Sequence, residues 1–282
     1  MNLSTSNYYA RAPLPFTGQK WKFSKKVSDL ALKTFKNCNI FVDVFGGSGL
    51  LSNNIKYSRN DAQVFYNDYD NYCERVKHIE EVNALLKKLR EFIEPYKRHS
   101  SMSLSNEDKE KALKIISEQK YVDYLTISSW FFVPPKVVFN LKELLSGKIN
   151  GCKEKMYNRV PKTPYKSDGY LSGVQILHND YHKTFECFKN NDEVCFIVDP
   201  PYLGTDCSTY KKDATLYNNY LDVFDYIKDS NFIYFCSSKH NFFNEIKKVS
   251  PNFFDITESL SVSDMINSTS KVVDYLFYRK LS

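Results

Sequence analysis

The segment CFIVDPPYLGTD at 195–206 runs an apolar stretch straight into an acid, two prolines and a tyrosine. A carboxylate at Asp199 can accept hydrogens from an exocyclic amine, whose lone pair is delocalised into its ring and which is therefore a poor nucleophile. Shared acceptance by Asp199 and a neighbouring backbone carbonyl steers such a nitrogen toward tetrahedral geometry and stabilises the charge that develops as it attacks. Pro200 and Pro201 fix two φ angles after the acid. Tyr202 then supplies a ring that can stack on a base taken out of a duplex. The plain alternative is an acidic turn that closes a strand.

A second chemistry-bearing stretch is FVDVFGGSGLL at 41–51, which reads as a strand, an acid, a glycine-rich turn and a helix start. Glycines let backbone approach a ligand closely, and ligands of such sheets sit at the carboxyl ends of the strands. The G-G-S-G spacing lacks the G-x-G-x-x-G pattern, which argues against NAD or FAD. The next expected strand ends in Tyr66-Asn67-Asp68, where an acid is placed to hold ribose hydroxyls. Each stretch alone is an ordinary turn as readily as a site; on consecutive strands they favour a nucleoside-containing cofactor.

Six stretches read as the strands that must position these groups: 39–45, 62–67, 173–178, 193–198, 231–236 and 272–278. They are short, β-branched or aromatic, and bounded by Asn, Asp, Gly or Ser. Nearly continuous apolar runs separated by helical segments predict a parallel sheet covered on both faces, an α/β fold of Rossmann-like type. The pattern of 272–278 leaves that strand's direction open. Between the second and third strands, apolar spacing predicts one helix over 72–94, stopped by Pro95, then a helix capped by Ser105 and apolar stretches at 125–132 and 141–145. Pro134-Pro135 reads as a helix break. The expected organisation is a catalytic domain of 1–70 and 171–282 with a mostly helical insertion over 71–170.

Composition narrows the possibilities. An apolar fraction of 42% over 282 residues is enough for a real core, and a formal charge of +6 permits a nucleic-acid partner without requiring one. The basic residues gather. The stretch 11–26 has five and no acid, and 148–170 has Lys148, Lys153, Lys155, Arg159, Lys162 and Lys166 against Glu154 and Asp168, interleaved with Tyr157, Tyr165 and Tyr170. Such a run neutralises phosphates and reaches bases, or is simply a solvated loop. Seven cysteines with no C-x-x-C pair and a start without an apolar leader lead to the expectation of reduced thiols in a cytoplasmic protein. No apolar run reaches the roughly 18 residues that cross a bilayer, so no membrane is expected. Five histidines without ligand spacing lead to the expectation of no metal, and hydrolase and nucleotide-triphosphate readings lack their motifs.

In this order the motifs resemble the Dam-type (D12 class) DNA adenine-N6 methyltransferases, over about 15–278. The resemblance rests on Phe16-Thr17-Gly18-Gln19-Lys20, Asp43-Val44-Phe45-Gly46-Gly47-Ser48-Gly49, Asn67-Asp68, Asp180-Tyr181 and Asp199-Pro200-Pro201-Tyr202. It implies a Rossmann-like methyltransferase sheet with a helical target-recognition insertion, and S-adenosylmethionine (SAM) as methyl donor. It further implies that Phe16, Thr17, Gly18 and Lys20 close over SAM, with Asp43, Phe45, Gly47 and Gly49 beside its methionine part. Asp68 would hold the ribose, and Asp180 with Tyr181 would frame the adenine. Lys20 as a surface cation and Asp180 as a helix cap are the plain alternatives. Within the insertion, Tyr157-Asn158-Arg159-Val160-Pro161-Lys162-Thr163-Pro164-Tyr165 is similar to the family's base-contacting F-N-V-P-x-G-x-Y. Arg159 intrudes and Thr163 replaces the glycine, which leaves the recognition sequence open, GATC included.

The expected activity is therefore site-specific methylation of adenine N6 in double-stranded DNA. Asp199, Pro200, Pro201 and Tyr202 would be catalytic, and Lys153, Lys155, Arg159, Pro161, Lys162, Tyr165 and Lys166 would contact DNA. An RNA or cytosine-N4 acceptor and a non-catalytic DNA-binding regulator are the alternatives. A cognate restriction endonuclease stays open as a second partner, and a monomer or weak dimer is expected.

Overall fold

The computed structural model describes residues 6–134, 136–149, 151–201, 216–237, 258–267 and 270–281. The chain divides into two compact units, one of Met1–Ala12, Gly18–Tyr72 and Asp168–Ser282, the other of Pro13–Thr17 and Cys73–Ser167. The stretch Pro13–Thr17 groups with the second unit, which the sequence did not suggest.

The first unit is built on a seven-stranded sheet of β1 (Ile40–Asp43), β2 (Gln63–Asn67), β5 (Gln175–Leu177), β6 (Val194–Val198), β7 (Asn231–Ser237), β8 (Glu258–Asn267) and β9 (Ser270–Arg279). Their order is β5-β2-β1-β6-β7-β9-β8. The first five neighbours pair in parallel, while β9 runs antiparallel to both β7 and β8. The direction that the pattern of β9 left open is thus reversed.

The strand β8 was not expected from sequence. Its residues ESLSVSDMIN alternate, with Leu260 and Val262 set among serines, but are too polar to resemble the buried runs of the central strands. It occupies a sheet edge, where pairing on one side suffices.

Central strands are apolar along their whole length because both faces are covered. Phe41, Val64, Cys195, Ile197, Ile233 and Phe235 pack with Val27, Ala31, Leu51 and Ile55 of α1 (Ser24–Lys33) and α2 (Leu50–Ser58). The alternate residues Val42, Phe196, Val198 and Phe232 pack with Phe185 of α8 (Tyr181–Phe188) and with Val223 and Ile227 of α9 (Leu216–Ile227). Period two along each strand therefore serves two cores.

The second unit is mostly helical: α3 (Tyr72–Lys77), whose first residue belongs to the sheet unit, α4 (Ile79–Ile93), α5 (Asn106–Ser117), α6 (Tyr124–Phe131) and α7 (Leu141–Ser146), then a short hairpin of β3 (Lys148–Ile149) and β4 (Cys152–Lys153). The single helix expected over 72–94 is two. At His78 the turn tightens, its N–H donating to the Arg75 carbonyl three residues back, with ψ at 21°. Its ring stacks on Tyr121 with centroids 3.8 Å apart. Ser105 caps α5 as expected, its hydroxyl accepting from Asp108 N–H at 3.1 Å. The helix α6 stops at Phe131, before Pro134, in agreement with the expected break; Pro135 lies outside the described residues. No helix among the described residues is long and apolar enough to cross a membrane.

Candidate active site

Parallel pairing of β2, β1 and β6 sets three acids at one edge of the sheet, because each strand ends on or just before one: Asp43, Asp68 and Asp199. The edge is the carboxyl end, where α/β sheets bind their ligands.

Asp199 is met by Lys20, whose Nζ lies 2.6 Å from Oδ2 and also donates to the Gly18 carbonyl at 3.0 Å. Gly18 has a φ of +82°, a conformation that side chains disfavour, and so turns the chain to bring its carbonyl and Lys20 to the same point. Lys20 is thus on the expected catalytic acid rather than on the surface. Pro200 is buried and Pro201 half-buried. Tyr202 lies outside the described residues. Phe16, half-buried, and Thr17, exposed, belong to the helical unit, where Arg75 Nη2 donates to the Pro15 carbonyl at 2.8 Å.

The glycine turn is held by a residue that sequence reading passed over. Tyr66 is fully buried, and its hydroxyl lies 2.6 Å from the Gly47 carbonyl, to which it donates, and 3.0 Å from Asp68 Oδ1. A Cβ on Gly46 would stand 2.1 Å and 2.2 Å from two Tyr66 ring carbons, so Gly46 is needed for the ring. Gly47 and Gly49 have φ of +52° and +73°, and Gly49 precedes α2 with no side-chain cap on its first amides. Asp68 Oδ1 also accepts from the Tyr72 N–H at 2.6 Å, which starts α3. Asn67 ties the strands at this edge, donating to the carbonyls of Val44 at 3.0 Å and Asn179 at 2.9 Å while its Oδ1 accepts from Asn179 N–H.

Asp43 is 2% exposed, and its Oδ2 accepts from the Ser52 hydroxyl at 2.7 Å. Burial pushes its carboxyl up to about 7; the Ser52 hydrogen bond pulls it down and the nearby Asp199 charge raises it further. Ser52, Asn53 and Asn54 on α2 are all buried, and Asn53 and Asn54 hold the carbonyls of Asn7 and Tyr9 at 2.8 Å and 2.6 Å. A run of three polar residues after an apolar pair was the available signal for this network.

Asp180 caps α8, Oδ1 accepting from Lys183 N–H at 3.1 Å, so the plain role considered from sequence is realised there. Tyr181 stacks on Phe45 with ring centroids 5.5 Å apart. Burial, with Asp222 nearby, pushes the Tyr181 hydroxyl up to about 12, so the ring stays neutral at physiological pH.

In the helical unit, Lys153, Lys155, Lys162 and Lys166 are exposed and Arg159 and Pro161 half-buried. Tyr165 differs from the others. Its hydroxyl accepts from Trp130 Nε1 at 2.7 Å, its ring lies parallel to that indole, and its backbone exchanges two hydrogen bonds with the Asn83 side chain. The ring is a buttress of its own unit.

Positive-φ glycines after β1, an acid at the end of β2 that accepts hydrogen bonds and the Phe45–Tyr181 pair form a polar and stacking set that fits a nucleoside-bearing group. The strand order and this edge define a Rossmann-like α/β protein. Over 250 residues the chain is 32% identical to a Haemophilus influenzae protein named "Putative methyltransferase", a match covering 85% of this chain and 80% of that one. The chain belongs to this methyltransferase family, and its sheet is the mixed, mostly parallel form of the methyltransferase fold. No family model matches it.

Proposed function

We propose that the protein transfers the methyl group of SAM to the N6 amine of an adenine flipped out of double-stranded DNA, with the helical unit recognising the target. The observation that carries this reading is Asp199, a carboxylate at the carboxyl end of β6 accepting from a nitrogen donor, followed by two prolines. SAM, when bound, supplies a methyl group on a positively charged sulfur.

Gly47, Gly49 and Asp68 would hold that cofactor, with Phe45 beside its methionine part and Tyr181 against its adenine. Asp199 would accept one hydrogen of the target amine and the backbone following it the other, aiming the nitrogen lone pair at the methyl carbon. Asp199 would take the proton that the methylated nitrogen gives up and pass it to solvent, the methyl group being what SAM would supply. Most of the barrier is lowered by orientation, so Asp199 serves as an acceptor more than as a strong base. Lys20, with its Nζ 2.6 Å from Asp199 Oδ2, would hold the carboxylate in place until the amine arrives.

Expression in a methylation-free host, with modified bases mapped by direct sequencing, tests the acceptor. N6-methyladenine at one recurring sequence is the expected result. Methylation found only in RNA, or only on cytosine N4, would overturn the DNA-adenine assignment while leaving amino-group transfer. Asp199→Ala should lose methylation and keep SAM binding by calorimetry.

A further inference from the structure

Two segments of the helical unit meet around residues 98–99 and 156–160. The Asn158 carbonyl accepts from His99 N–H at 2.8 Å, and the Met156 carbonyl from Leu104 N–H at 2.8 Å. Arg98 reaches the Arg159 carbonyl with Nε at 3.4 Å and Nη2 at 3.3 Å. From α6, the carbonyls of Phe131 and Trp130 accept from Tyr157 and Arg159 N–H at 2.8 Å and 2.9 Å, while Asn158 Nδ2 donates to the Tyr96 carbonyl at 2.6 Å. The segment carrying Arg159 is therefore fixed, and the Arg98 guanidinium and the His99 N–H lie directly against its backbone.

The gathering is electrostatically unbalanced. Among the described residues neither guanidinium makes an ion pair, and Arg159 Nε is buried without a hydrogen-bond partner. His99 holds a φ of +60°, a left-handed conformation that costs a non-glycine residue on the order of 1 kcal/mol. Slight desolvation of an otherwise exposed ring, then the charges of Arg98 and Arg159, hold its imidazole below the ordinary histidine value. Like charges drawn together around a buried donor with no acceptor are unfavourable alone, and a single bound oxyanion would offset both terms.

We propose that Arg98, His99 and Arg159 form a binding site for a phosphodiester group of a nucleic-acid backbone, an inference that rests on the nucleic-acid substrate proposed above. The planar guanidinium fork suits phosphate oxygens. Arg98 and His99 are exposed, so a long strand can reach them, and the exposed Lys155, Lys162 and Lys166 of the same unit favour a polyanion over a lone anion.

The test uses the full chain and a fluorescent mixed-sequence DNA duplex, with affinity read by anisotropy over a series of KCl concentrations. Arg98→Gln and Arg159→Gln should each weaken binding equally on unrelated sequences and reduce the slope of log K against log salt by about 0.9, the share of one phosphate. SAM affinity reports folding; Arg98 is exposed, so its variant keeps the test decisive if Arg159→Gln fails to fold. An unchanged slope in a folded Arg98→Gln protein, with the wild type binding normally, overturns the site and leaves the proposed substrate standing. A loss confined to one sequence overturns the phosphate assignment in favour of base reading. A wild type that binds no duplex at any salt concentration, yet methylates an acceptor that is neither DNA nor RNA, overturns the nucleic-acid reading itself.

Discussion

Lys20 Nζ and Asp199 Oδ2 lie 2.6 Å apart across 179 residues of chain, with the two side chains 9% and 18% exposed. A pair this sheltered is costly to break by halves, because the survivor keeps its desolvation cost and loses its partner. Lys20→Ala should lower stability by about 2–4 kcal/mol in urea unfolding and reduce methyl transfer at least tenfold. Asp199→Asn in the Lys20→Ala background should recover part of that stability with no recovery of activity. Strictly additive losses in the double-mutant cycle would refute the coupling.

Gly46 is required by the ring of Tyr66. Ala at this position would press its methyl into the ring, whose hydroxyl joins the Gly47 carbonyl to Asp68, and would come within a tight 3.1 Å of Asn67 O. Gly46→Ala should cost on the order of 1–3 kcal/mol by overpacking and weaken SAM binding with it. Gly46→Ala combined with Tyr66→Leu should restore stability but not cofactor affinity, as read by thermal unfolding and calorimetry. Full SAM affinity in the single variant would refute the linkage between ring and turn.

Asp43 gives a pH dependence with a definite sign. Its folded value of about 7 lies above the 3.8 of an ordinary aspartate, so between them the folded state binds more protons than the unfolded. Stability from this group is complete below about 3.8, declines as pH rises through that window, and is gone above about 7. Asp43→Asn should flatten the stability profile of the cofactor-free protein across that range. A profile whose slope there is unchanged by the substitution would show that another group titrates.

The three acids at one sheet edge were legible because each ends a strand whose apolar run marks it as buried and parallel, which fixes side and order together. The strand β8 was not, since an edge strand needs no apolar face on both sides. Tyr66 and Asn67 were hidden for a different reason. In sequence they are two residues of a strand, and only the pairing of β2 between β1 and β5 reveals that they tie the glycine turn and the adjoining loop. Lys20 was read toward the cofactor, and no spacing rule could relate it to an acid 179 positions away. Arg98 and His99 escaped notice because a basic residue in a polar loop has no period; their meaning comes from the segment folded against them.

Tyr165 separates packing from recognition most directly. Its hydroxyl is the acceptor for the indole N–H of Trp130, which is 1% exposed, and burial pushes that hydroxyl up to about 12. Tyr165→Phe keeps the ring and removes the acceptor, stranding a donor that water reaches poorly. A loss of about 1–3 kcal/mol should follow, read as a fall of several degrees in Tm. Duplex affinity and its salt slope should stay within twofold of wild type, because the hydroxyl is turned into its own unit and meets no phosphate. A variant that weakens DNA binding tenfold at unchanged Tm would move Tyr165 from the scaffold to the interface.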